Sequence, residues 1–374
     1  MPNKYRTAQL FLFDTCTHKC AYCHFAESGK VLDGSQLRPY RDPAFIDQIA
    51  RFFLNRTSEQ EKWLLHLTGG EPLLMPNLPE FARKVCKPGN KIALNTAMLI
   101  GDKHPSVRFL IEEGAPMIDY LFVSFHPEAE EIEDLFFRRI ERLKRSGHGV
   151  ILNFICHPAR LHRVDELARR CADLDIAFYP GPLYSPEFPG KYTAEQRAVV
   201  LRHASSRTQI IWLESGLDTR STRCWAGSRL ISIDMRTGNI APCASTPRGP
   251  SLGNIYEDRF APFDSAISCP AAGIGCACEA HFHNDIVIDA EDSDNFARAK
   301  NGYVEPIDVE AARASLEKAG LSFSTAKPRI GQTSTADFLA LSTEHVKAVY
   351  ERNRNFFTGE YYERNHPSFR NRQR

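Results

Sequence analysis

Six short apolar runs alternate with amphipathic stretches between residues 8 and 185, and this alternation constrains the fold more than any other feature of the chain. The runs cover 9–13, 63–67, 91–95, 120–124, 150–156 and 176–179. Each has the length of a strand and is bounded by turn-forming residues. The stretches between them carry helical periodicity. Over 128–146, Ile132, Leu135, Phe136, Ile140 and Leu143 share one face, and Gly147 follows where a helix C-terminus favours glycine. A second helical stretch covers 163–174. Strands in strict alternation with helices build βαβ units, so the expected fold is α/β with a parallel sheet.

A Pro/Gly-rich stretch at 180–192 interrupts the pattern. The expected organisation is a core of 8–190, a smaller domain of 191–290 and a partly helical C-terminal extension of 291–374. The smaller domain opens with a helical stretch at 193–204 and an apolar segment at 209–213, and then two alternating runs flank Thr237-Gly238-Asn239 as a β-hairpin. In the extension, 336–357 is helical in pattern and the basic tail 366–374 reads as a frayed terminus.

Composition narrows the class. Lysine and arginine total 47 against 46 acidic residues, so the net charge of +1 makes no electrostatic case for nucleic acid or an anionic membrane. No apolar run approaches the ~20 residues that span a bilayer. The N-terminus lacks the apolar core and small-residue cleavage site of a signal peptide, and a cytoplasmic location is expected. In a reducing compartment, 11 cysteines point to metal ligation or catalysis rather than disulfides.

Cys16, Cys20 and Cys23 form a C-x3-C-x2-C pattern directly after the first strand. Three thiolates this close can hold three irons of a [4Fe–4S] cube, and no fourth cysteine follows until Cys86, so one iron keeps an open position. The alternatives are a zinc site completed by His18 or His24, or incidental reduced thiols. The second strand ends in Leu67-Thr68-Gly69-Gly70-Glu71-Pro72. Paired glycines there let a ligand approach the backbone, and a carboxylate beside bare carbonyls suits an ammonium group.

Together, the cysteine pattern after strand one and the Gly-Gly-Glu-Pro after strand two resemble the radical S-adenosylmethionine (radical SAM) superfamily. The resemblance covers residues 8–185. It implies a partial (β/α)6, TIM-like barrel with the cofactor at the C-terminal ends of the strands, in agreement with the six units counted from the pattern. It implies Cys16, Cys20 and Cys23 as cluster ligands and Tyr22 as the aromatic whose backbone contacts adenine. Gly69, Gly70 and Glu71 would receive the methionyl amino group, and Ser124, with Asn153 as a further candidate, would contact the ribose or carboxylate. The implied chemistry is reductive cleavage of S-adenosylmethionine to a 5′-deoxyadenosyl radical that abstracts hydrogen from a substrate C–H bond, with an electron donor such as flavodoxin or ferredoxin.

Five cysteines crowd the stretch 224–278: Cys224, Cys243, Cys269, Cys276 and Cys278. With Gly238 and Leu252-Gly253-Asn254-Ile255, their arrangement resembles the SPASM/twitch extension of radical SAM enzymes, which holds auxiliary Fe–S clusters. The full SPASM pattern has more cysteines, which favours a twitch-like single auxiliary cluster, on Cys224, Cys243 and two of the remaining three, or two incompletely ligated ones. A structural zinc site is the alternative. Cys86, Cys156 and Cys171 stand in helix or strand patterns as core residues, and if Asn153 faces inward, Cys156 faces outward by parity.

Residues after strands four to six face the same end as the cofactor. Of these, His126, His157 and Tyr184 are candidate catalytic groups, and Tyr179 and Glu187 are candidate substrate contacts. Glu128, Glu130, Glu131 and Glu133 start a helix, where acidic residues favour the dipole, and read as solvated. The barrel begins near residue 8 with no leader-recognition domain before it, so the expected substrate is a small polar metabolite: a sugar, nucleotide-linked sugar or aminocyclitol, epimerised or dehydrogenated. The leftover thiol of the second group suits a hydrogen donor. The alternatives are maturation of a ribosomally made peptide or protein side chain by a thioether, a C–C link or epimerisation, and a non-catalytic zinc-binding module.

Overall fold

In a computed structural model the described residues are 5–17, 34–183, 191–206, 209–210, 213, 223–243, 251–268 and 299–318. The helical stretch expected at 336–357 and the tail 366–374 lie outside them. All six expected strands are present: β1 (Tyr5–Phe11), β2 (Lys62–Thr68), β3 (Lys91–Thr96), β4 (Ile118–Ser124), β5 (Val150–Cys156) and β6 (Ala177–Pro182). Between them lie α1 (Pro43–Leu54), α2 (Leu78–Cys86), α3 (Pro105–Phe109), α4 (Glu133–Arg145) and α5 (Val164–Asp173), and α6 (Ala194–Leu201) follows. The strands pair in parallel in the order β1-β2-β3-β4-β5-β6, the wall of a partial (β/α)6 barrel.

Both faces of this wall are covered, which is why its strands read as apolar runs rather than alternating ones. The outward face, with Leu10, Leu67, Leu94, Val123, Leu152 and Phe178, joins the helices in the main core. The inward face carries a second cluster that includes Leu64, Ala93, Tyr120, Phe122, Ile151 and Tyr179. Local signals set the helix starts: Asp42 caps α1 through the Ala44 N–H, and Thr193 and Gln196 form a capping box on α6.

Two carboxylates read as solvated are paired instead. The expected helix from 128 divides into a 3-10 turn, Pro127–Ile132, and α4. From the turn, Glu130 meets Arg160 at 3.0 Å, and Arg160 is buried with its guanidinium 4.4 Å over the Phe154 ring. Glu133 pairs with Arg163 and Arg170 at 2.7 and 2.9 Å. Ion pairs across helix ends leave no periodicity signal in a sequence.

The segment after the barrel is joined to it edge to edge. After β7 (Arg223–Cys224), β8 (Leu230–Asp234) pairs in parallel with β1, and β9 (Asn239–Ala241), β10 (Gly253–Asn254) and β11 (Arg259–Phe260) continue the same sheet antiparallel. The hairpin expected around Gly238 is therefore an extension of the barrel wall. A separate two-stranded ribbon pairs β7 with β12 (Ile267–Ser268).

Residues 299–304 close the N-terminal end of the barrel. Ala299 and Val304 enter the inner cluster beside Tyr5 and Tyr120. Lys300 pairs with Asp119 at 2.7 Å, and the Tyr303 N–H donates to Asp175 at 3.0 Å. Gly149 lies so close to the Lys300 carbonyl that a Cβ would overlap it. A last helix, α7 (Val309–Lys318), follows. Among the described residues, no helix is long and apolar enough to cross a membrane.

Candidate active site

The sheet ladder does not stop where β1 ends. Leu12 N–H donates to Thr68 O at 3.0 Å, Gly70 N–H to Phe13 O at 2.6 Å and Glu71 N–H to Thr15 O at 3.0 Å. The loop that carries Cys16 is thereby laid along the end of β2. Both glycines are required by this approach. Gly69 has φ +125°, and its Cβ would stand 2.6 Å from Phe13 O; a Cβ on Gly70 would overlap Thr15 O. The sequence reading assigned this closeness to a ligand, but the structure fills it with the backbone of the cysteine loop.

Glu71 is buried, and its carboxylate accepts from Leu73 N–H at 3.0 Å, Thr96 Oγ1 at 2.8 Å and Ala97 N–H at 2.9 Å. Burial raises its pKa above the ordinary carboxylate value, and these three donors act against that rise. The carboxylate binds the end of β2 to the end of β3, with two donors on Oε1 and one on Oε2. Cys16 is half-buried at the start of the loop. Cys20, Tyr22 and Cys23 lie outside the described residues, as do His18 and His24. Among the described residues, no three His, Cys, Asp or Glu side chains converge as a metal site.

On the inner wall, the two candidates for the ribose or carboxylate meet. Ser124 and Asn153 are register partners, and Asn153 Nδ2 donates to Ser124 Oγ at 3.1 Å. Tyr179 is the next partner along the wall, with its ring 5.7 Å from Phe122. Cys156 is fully buried in the outer core, as parity required. Further inward polar residues were missed by the sequence reading: His66 Nε2 lies 2.8 Å from Asn95 Oδ1, and Asn95 Nδ2 donates to Thr68 Oγ1 at 3.4 Å. Their signal was a polar residue at inward parity within otherwise apolar runs.

The candidate proton carriers part company. His126 is half-buried just past Ser124, whose carbonyl accepts its N–H at 3.2 Å. His157 is buried, and its Nδ1 accepts from Ala159 N–H at 3.2 Å to cap the turn Pro158–Arg163. Tyr184 and Glu187 lie outside the described residues.

Of the second cysteine group, Cys224 and Cys243 are described, and they stand toward the opposite end of the wall. Leu230 starts β8 opposite Thr7, and just beyond this foot the Gly227 N–H donates to Pro242 O at 3.1 Å. Buried Cys224 precedes that contact and buried Cys243 follows it, two residues past β9 rather than inside it. Cys269, Cys276 and Cys278 lie outside the described residues; β12 ends at Ser268. Cys86, Cys156 and Cys171 sit in the core, where burial raises their thiol pKa values, that of Cys86 to about 12. Such thiols stay protonated and inert.

Residues 10–171 match the Radical SAM superfamily. The barrel is a radical SAM domain. The chain is also 24% identical over 269 residues to the antilisterial bacteriocin subtilosin biosynthesis protein AlbA of Bacillus subtilis (strain 168), a match covering 66% of this chain and 56% of that protein. The chain thus spans about half the length of this curated relative. Among solved structures, it is similar to Streptococcus suis SuiB bound to S-adenosylmethionine, with 17% identity, a TM-score of 0.49 and coverage of 67% and 63% of the two chains. It is also similar to anSMEcpe bound to AdoMet and the Cp18Cys peptide, with 15% identity, a TM-score of 0.48 and coverage of 98% and 99%. The cofactors of a radical SAM domain are a [4Fe–4S] cluster with an open iron and S-adenosylmethionine. The donor chemistry of this chain fits them: a soft thiolate, Cys16, follows β1 in a loop built against the Gly69–Gly70 turn, and two more thiolates follow in sequence.

Proposed function

We propose that this radical SAM enzyme modifies a residue of a ribosomally made peptide or protein, abstracting hydrogen from a carbon of that residue before a thioether, a C–C link or an inverted centre is formed. The observation that carries the substrate class is the similarity to a protein named for bacteriocin biosynthesis. The small polar metabolite expected from the sequence gives way to the peptide on the strength of that relative.

Cys16, Cys20 and Cys23 would hold the first cluster, and Cys224, Cys243 and two of Cys269, Cys276 and Cys278 an auxiliary one. Bound there, the first cluster would supply the electron that cleaves S-adenosylmethionine, delivered by a reduced flavodoxin or ferredoxin. The chain's own part is positional. Gly69, Gly70 and Glu71 would receive the methionyl ammonium, with the Glu71 carboxylate held in place by Leu73, Thr96 and Ala97, and Tyr22 would sit against adenine. The Ser124–Asn153 pair presents a hydroxyl and an amide at one level of the inner wall, suited to the ribose or carboxylate. His126 follows Ser124 by two residues in the chain and is a candidate to move a proton, and Tyr184 is a further candidate. Residues 299–304 close the far end of the barrel with apolar side chains and so keep water from the lumen.

The test is anaerobic reconstitution, reduction and chromatography of the nucleoside product. The expected result is 5′-deoxyadenosine from the wild type and none from Cys16→Ala, Cys20→Ala or Cys23→Ala. Co-expression with a precursor peptide encoded beside the gene is expected to shift the mass of that peptide. An unmodified peptide, together with deoxyadenosine production stimulated by a sugar or aminocyclitol, would return the assignment to a small metabolite.

A further inference from the structure

The tip of the β8–β9 hairpin reaches the cysteine loop across 222 residues of sequence. Arg236 forks onto Asp234 of its own hairpin, Nε to Oδ1 at 2.9 Å and Nη2 to Oδ2 at 3.0 Å, and its remaining Nη1 meets Asp14 Oδ2 at 2.9 Å. Asp14 lies two residues before Cys16 with its side chain only 11% exposed. Next to Arg236, the Met235 N–H donates to Phe11 O at 2.9 Å. On the other side of the loop, the Asp14 N–H donates to Gln36 Oε1 at 2.7 Å.

We propose that Arg236 is a positioning residue for the first cysteine loop: it fixes Asp14, and through Asp14 it holds Thr15 and Cys16 in register with Gly70 and Glu71. The bidentate fork onto Asp234 makes this a rigid arm rather than a loose charge pair. Asp234's hydrogen bonds also raise the guanidinium pKa, so the arm stays charged at every working pH. A planar fork fixed at one end and paired at the other loses little further rotamer entropy when it grips a half-buried carboxylate. The consequence for cluster loading rests on the proposed role of Cys16, but the clamp itself does not.

Hydrogen exchange of the full chain, read at the Gly70 and Glu71 amides before and after cluster reconstitution, tests the clamp. Arg236→Gln and Asp14→Asn are each expected to speed that exchange about tenfold, with a gain in the double variant well short of the product of the two, because both break the Arg236–Asp14 contact. Arg236→Lys, which cannot reproduce the fork, is expected to fall between. Iron retained after gel filtration should drop in parallel, while exchange in β8 and β9 stays unchanged in Asp14→Asn. If Asp14→Asn leaves the Glu71 amide at the wild-type rate, or if the two effects multiply in the double variant, the clamp is overturned. If the variants instead shift the cluster's reduction potential in opposite directions with exchange unchanged, Arg236 tunes charge and the positioning role fails. Coupled exchange in a protein that never yields deoxyadenosine would keep the clamp and remove the radical SAM reading.

Discussion

The two ends of the barrel are built by different means. At the C-terminal end, residues 12–16, the Gly69–Gly70 turn and the start of the 3-10 turn after Glu71 are held mainly by backbone hydrogen bonds and one buried carboxylate, braced by the Arg236–Asp14 ion pair. There is no room there for a single methyl group. At the N-terminal end, closure comes from side-chain packing of Ala299 and Val304 and from ion pairs such as Lys300–Asp119. Backbone ladders fix position to a fraction of an ångström, whereas side-chain closure tolerates adjustment. An end that must hold a cofactor calls for the first kind, and an end that need only exclude water can use the second.

This contrast can be broken by methyl groups. Gly70→Ala is expected to have the largest effect: the Thr15 carbonyl must move, the ladder to Phe13 and Thr15 opens, and stability falls by ~3 kcal/mol or more. Iron retention at the first site should fall below half that of the wild type. Gly101→Ala, where a Cβ meets nothing within 4 Å, is the control and should be close to neutral by thermal unfolding. Gly149→Ala presses on the Lys300 carbonyl at the other end. The segment it displaces is secured by side chains, so a loss of about 1–2 kcal/mol is expected, with faster exchange over 299–304 and normal iron retention. Equal iron loss from the two variants would dissolve the distinction between the ends.

The parts of this organisation that could be read in advance follow from short-range physics. All six core strands appeared in the apolar runs, because a strand buried on both faces has to be apolar along its length. Given an inward Asn153, the outward parity of Cys156 followed from alternation alone. What escaped was long-range. Nothing in 223–243 announces that β8 will pair with β1, since an edge partner is chosen by backbone groups that every residue shares. The glycines at 69 and 70 signalled close approach but not the identity of the approaching chain. That His157 caps the turn after β5 was not legible, because capping by an imidazole nitrogen has no distinctive pattern. His66 and Asn95 were visible as polar residues in apolar strands, and only the register shows that they meet.

A smaller effect should appear at the N-terminal end as pH changes. His148, directly before Gly149, is 2% exposed, and its Nε2 donates to the Leu110 carbonyl at 2.6 Å. Burial lowers its pKa from the ordinary 6.5, with the Leu110 carbonyl acting in the other direction, so the ring is neutral in the folded protein. Unfolded chains take up a proton below about 6.5 and folded ones resist it, so the stabilisation is complete above that pH and is lost as pH falls beneath it. The loss is bounded by ~1.4 kcal/mol per pH unit for one proton. Urea unfolding at about pH 7.5 and about pH 5.5 measures it, and His148→Gln, which can still donate to Leu110 but does not titrate, should flatten that part of the dependence. The cofactor end carries its own titratable group, the Glu71 carboxyl with its pKa raised by burial, so the comparison is between exchange over 299–304 and exchange at the Glu71 amide, and His148→Gln should flatten only the first. A steeper response at Glu71 would place the pH-sensitive element at the cofactor end instead.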